Sequence, residues 1–145
     1  MSELLQIILY TDAGSANNNW ALLGFRALLA FELFWVHGLR KLNAGTATPE
    51  TIPNPLGLPV EINNVVATFS DTVVPFLVLA GVATRLAVLP VIGVTAIGYF
   101  VVHWHDSAQE RDVPFMYALS FSLLLFMGPG TLSIDYYLWS ILIRS

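Results

Sequence analysis

Apolar runs long enough to cross a bilayer recur along this chain, and no water-facing fold can hide all of them. Leu86 to Trp104 holds no charged residue before His103. As a helix rising 1.5 Å per residue, such a run matches a hydrocarbon core about 30 Å thick. Trp20 to Leu39 makes a second run, interrupted by Arg26, Glu32 and His37, and Asn64 to Ala83 a third, with Asp71 as its only charge. A fourth begins near Val113 and stops at Gly128-Pro129-Gly130, which cannot continue a regular helix. It is short for a span, so either an earlier start near Arg111 or a small tilt is expected.

Charge settles the class. Ten acids and six bases among 145 residues leave 11% charged, against about 25% in an ordinary soluble domain. Much of the exterior must face lipid. The expected fold is therefore all-α: a four-transmembrane-helix bundle in one domain over residues 1–145, with spans at 20–39, 64–83, 86–104 and 112–128. With no basic run and a net charge of −4, nucleic acid is excluded as a partner. With no cysteine, disulfides, thiolate metal sites and thiol relays are excluded too.

Thr84-Arg85 reads as a very short turn that makes the second and third spans an antiparallel hairpin. Pro75 and Pro90 lie inside those spans and predict kinks, not breaks. Asn43 to Asn63, with four prolines, reads as an irregular loop over one membrane face. Asp12 to Asn19 caps the first span, Leu4 to Tyr10 suits an interfacial segment, and Ile134 to Ile143 reads as a short interfacial C-terminal helix. The amino terminus lacks the basic start of a secretory signal, so no cleavage is expected. Basic residues are nearly balanced between the two faces, which leaves orientation open.

Ionisable groups inside a bilayer are costly and need partners or a wet cavity. Counting inward from the helix ends places Glu32 and Asp71 in one layer, about 10 Å below the long-loop face. Tyr99, Tyr117 and Ser120 reach the same region from the third and fourth spans, and His37, His103, His105, Arg111 and Asp112 crowd its rim. If the two carboxyls meet, at least one keeps its proton near neutrality. Glu32, Asp71 and His37 are thus candidate proton-handling residues; the alternative is that the acids only pin helices together. Arg26 lies near the opposite face as structural glue, with Asp135 the acid placed to meet it, and Arg85 is expected on lipid headgroups or helix carbonyls. His37 and His103 share a depth, but spacing alone is weak evidence, and no metal or haem is expected.

Arg26, the stretch Trp35-Val36-His37-Gly38-Leu39-Arg40-Lys41-Leu42, Asp71, Leu79-Ala80-Gly81-Val82-Ala83-Thr84-Arg85-Leu86-Ala87, and Gly128-Pro129-Gly130 followed by Ser133 and Asp135 together resemble the DoxX family of small four-helix membrane proteins. The resemblance runs from Trp20 to Asp135. It includes the small subunit of an archaeal thiosulfate:quinone oxidoreductase, so it implies quinone-linked redox work, or support of a membrane redox partner, in a prokaryotic inner membrane. The long proline-rich loop and the aromatic tail depart from the family pattern. A quinone headgroup needs a donor at each carbonyl oxygen and an apolar slot. Trp35, Tyr99, His103 and Tyr117 are the expected ligand-binding residues. The competing function is a non-catalytic structural or assembly subunit, and the sequence leaves open whether the chain is itself catalytic.

Overall fold

Among the described residues, helical rods arise directly from the apolar runs and their caps. The computed structural model describes residues 11–42, 44 and 51–144; the expected Leu4 to Tyr10 segment and part of the proline-rich loop lie outside the described residues. Helix α1 (Ala16–Leu33) continues through a π-helical turn, Phe34–Gly38, into Leu39–Lys41. Helices α2 (Val60–Thr72) and α3 (Val74–Ala80) make one crossing, and α4 (Thr84–Ile97) runs on through a second π-helical turn, Gly98–Val102. Helix α5 (Ala108–Met127) and helix α6 (Ile134–Arg144) complete the order.

Three of these rods, Ala16–Lys41, Val60–Ala80 and Thr84–Val102, are long and apolar enough to cross a membrane. No more than 28% of any of them is buried inside the chain, so most of their apolar surface faces outward. Helix α5 has the length of a span, about 30 Å at 1.5 Å per residue, but Glu110, Arg111 and Asp112 sit in its first turns.

Local chemistry sets the ends. Ser15 caps α1 by accepting from the Asn18 N–H at 3.2 Å. Asp12 accepts from Asn19 Nδ2 at 3.0 Å and the Gly14 N–H at 2.9 Å, and these bonds hold its carboxyl below the usual carboxylate range. Ser107 and Glu110 form a reciprocal capping box at the start of α5. Pro75 ends α2 and restarts the helix as α3 after Val73, while Pro90 stays within an unbroken α4. The hairpin turn lies at Gly81–Ala83, not at Thr84-Arg85: Gly81 (φ 69°) and Ala83 (φ 44°) are left-handed, and Thr84 already begins α4.

The core lies where α1, α3, α4 and α5 meet, around Leu33, Val74, Val78, Val88, Val91, Phe121 and Leu124. Below it, at the hairpin pole, the chain after α5 ties the bundle together. Asp135 accepts from the Ala83 N–H at 2.6 Å and the Thr84 N–H at 2.9 Å, and its own N–H donates to the Gly81 carbonyl at 2.9 Å. A carboxylate distant in sequence thereby caps α4 and holds the one non-glycine left-handed residue among those described. Arg85 donates from Nε to the Leu125 carbonyl at 3.1 Å, satisfying the end of α5. Thr11 Oγ1 accepts from the Gly130 N–H at 2.7 Å, and Asn19 Oδ1 from the Thr131 N–H at 2.8 Å. Asp135→Asn is expected to lower stability by about 1–2 kcal/mol, the worth of a charged N-cap, measured as a reduced thermal midpoint in detergent. An unchanged midpoint would show that the cap is incidental.

Candidate functional site

At the other pole, glycine lets two helices touch. A Cβ on Gly38 would overlap the Asp71 carbonyl oxygen and lie 2.8 Å from the Phe34 ring, so α1 meets the backbone of α2 there. Pro75 has no N–H to give that carbonyl, which leaves it turned toward Gly38. Three residues past Gly38, and so on nearly the same helical face, Lys41 Nζ lies 4.0 Å from Asp71 Oδ2, with the two side chains only 8% and 12% exposed. A buried pair of this kind costs desolvation that its attraction barely repays. Its presence therefore calls for a reason beyond stability.

Lys41 and Asp71 stand at the polar end of a cavity of about 190 Å3. Its walls are Val66 and Ala67 of α2 and Val94, Ile97 and Val102 of the α4 rod, and its roof is the proline-rich loop from Ile52 to Leu58. Asn54 fastens that loop to Leu58 with bonds of 2.7 and 3.0 Å, and Asn63 Nδ2 donates to the Pro53 carbonyl at 3.1 Å. His103 completes the polar lining. Its Nδ1 is held 2.7 Å from Asp106 Oδ2, which leaves Nε2 as the ring's second exchangeable position.

The remaining predicted residues do not converge on one funnel. Glu32 and Asp71 open on different cavities: Glu32 lines an outward groove of about 270 Å3 with Asp112, Tyr117 and Ser120. Tyr117 lines the Glu32 groove but not the Asp71 cavity, and the His37 ring stands edge-on to it at 5.4 Å. Tyr99 faces Arg111 instead of the His103 cavity. Trp35 is turned outward, 60% exposed, and stacks on Phe31 at 5.6 Å. Glu32 lies before the π-helical turn of its rod, whereas Trp35 and Tyr99 lie inside the two π-helical turns. Each inserts one residue into the helical count and rotates the rest of its rod by about 100°.

At the hairpin pole, Arg26 is 2% exposed and donates to the Pro129 carbonyl at 2.7 Å and to the Leu132 carbonyl. Asp135 lies within its electrostatic range, but the carboxylate's hydrogen bonds go to α4. Arg26 therefore anchors the segment after α5 through carbonyls, and Arg85 likewise binds helix carbonyls. Sequence reasoning missed Lys41 as the partner of Asp71; its three-residue spacing from Gly38 was the available signal.

A sequence profile of the DoxX family matches residues 21–104, more than half of the chain. The chain belongs to the DoxX family. With three apolar helices of spanning length, this DoxX protein is a multi-pass membrane protein in contact with the lipid bilayer. It is 32% identical over 123 residues to an uncharacterized protein of Haemophilus influenzae, covering 79% of this chain and 81% of that relative. No solved structure matches it. The DoxX match contains Arg26, Gly38, Lys41, Asp71 and His103; Arg111, Tyr117 and Asp135 lie beyond it.

Proposed function

We propose that this DoxX protein is a four-span, quinone-linked redox subunit, or quinone-binding accessory protein, of a prokaryotic cytoplasmic membrane. The observation that carries this reading is a buried Asp71–Lys41 pair at the end of an apolar cavity roofed by a loop at the membrane face. Such a cavity suits a flat, apolar ring with polar edges. Lys41 supplies a charged donor to one carbonyl oxygen, and His103 a donor or acceptor at the rim. Asp71 accepts and returns protons, with His37 and Glu32 as further carriers through Tyr117. Reduction of a quinone to its quinol takes two electrons and two protons, one proton at each carbonyl oxygen. The electrons come from a membrane-associated redox partner, and the protons from water by way of Asp71 and the rim histidines.

A short-chain benzoquinone tests this by equilibrium dialysis against the protein in nanodiscs. Binding is expected, and Asp71→Asn is expected to weaken it about tenfold, as loss of a buried charged group does, with helix content unchanged. Equal binding by the variant, or none by the parent protein, would overturn the quinone reading. The second reading, a non-catalytic assembly subunit, draws support from the outward Phe31–Trp35 stack. It expects Trp35→Ala to abolish complex formation while Asp71→Asn leaves it intact.

A further inference from the structure

Arg111 stands in the first turns of α5 with its guanidinium carbon 4.2 Å from the centre of the Tyr99 ring and 5.1 Å from that of Trp104. Two rings, one from the π-helical turn after α4 and one from the link to α5, hold the cation by attraction to their faces. Tyr99 is itself backed by Phe115, ring centres 5.5 Å apart. Contact through ring faces leaves the donors around the guanidinium edge unspent. Arg111 Nε is buried and has no hydrogen-bond partner among the described residues.

Neighbouring acids on this rim are engaged elsewhere, Asp106 by His103 at 2.7 Å and Glu110 by the Ser107 cap at 3.0 Å. The exception is Asp112, which is exposed and shares with Arg111 a gap of about 160 Å3, walled by Tyr99, Ala108 and Phe115. Apolar sequence begins at the next residue, Val113. The gap therefore lies at the boundary between hydrocarbon and water, the depth of lipid headgroups and of aromatic belts.

We propose that this gap binds a phosphoethanolamine headgroup, with the phosphate on Arg111 and the ammonium on Asp112. A guanidinium fixed in plane offers paired donors to phosphate oxygens. A primary ammonium can hydrogen-bond the adjacent carboxylate, whereas a trimethylammonium has no N–H to give and glycerol carries no charge for Asp112 to meet. The same group occurs in ethanolamine phospholipids and in free phosphoethanolamine.

Native mass spectrometry of the purified protein with ethanolamine, choline and glycerol phospholipids of matched chains tests the site. The ethanolamine lipid is expected to be retained about tenfold over the choline lipid, the effect of one charge-assisted bond. Arg111→Gln removes the retention. Asp112→Asn, at an exposed position, removes the discrimination between ethanolamine and choline. Displacement by free phosphoethanolamine assigns recognition to the headgroup alone; resistance to it, with dependence on Arg111 kept, assigns the site to the lipid. Equal retention of the two lipids by the parent protein, or a preference that survives both substitutions, overturns the proposal.

Discussion

Replacing Arg26 by leucine lowers stability by about 3 kcal/mol, because two charge-assisted bonds vanish and the buried Pro129 carbonyl loses its donor. The acceptors are the Pro129 and Leu132 carbonyls, in a segment that cannot satisfy them by helix formation. Pro129 has no N–H, and Gly128 and Gly130 hold positive φ of 74° and 82°, so this stretch depends on side chains for its bonds. Gly81 packs so closely on Arg26 and Ser133 that a Cβ there would overlap Ser133 and lie 2.7 Å from Arg26 Nη1. Thermal unfolding in detergent should show a midpoint lower by about 10 °C. Arg26→Lys, a single point charge, cannot reach both carbonyls as a fork does and should recover only part of the loss. A leucine variant as stable as the parent protein would remove Arg26 from the forces that hold the bundle.

Gly38→Ala is the second large effect, and its sign is set by packing, not by helix propensity. Alanine in a helix is favoured over glycine by about 0.5–1 kcal/mol, and Gly24→Ala should realise that gain, since nothing lies within 4 Å of a Cβ there. At Gly38 the same methyl group collides with the Asp71 carbonyl and the Phe34 ring. Overpacking of this kind costs about 1–3 kcal/mol. It also drives α1 from α2 and separates Lys41 from Asp71, so Gly38→Ala should weaken the proposed quinone binding about tenfold, as Asp71→Asn does. Opposite shifts of the thermal midpoint for Gly24→Ala and Gly38→Ala are the check. Matching shifts would mean that α1 and α2 do not touch at Gly38.

Both effects arise at positions whose residue type was visible in the sequence but whose contacts were not. Arg26 stood out as a charge in an apolar run, and its structural role followed from cost alone. Its partners did not, because the carbonyls that receive it belong to a segment over 100 residues away. Asp135 was placed at the correct pole by counting helices, yet capping of α4 depends on a left-handed Ala83 that composition does not announce.

Hydropathy and chain punctuation determined the apolar rods, their order and their ends to within a few residues, because the cost of exposing backbone or charge to lipid is local and large. They also sorted polar groups between two poles, since depth is only a residue count times a fixed rise. Which groups meet was decided by the tertiary structure. Two π-helical turns rotate the ends of α1 and α4 out of the 3.6-residue period, Gly38 admits α2 at contact distance, and Lys41 rather than Glu32 comes to face Asp71. A helical wheel carries depth faithfully but loses azimuth at the first inserted residue, and pairing depends on azimuth.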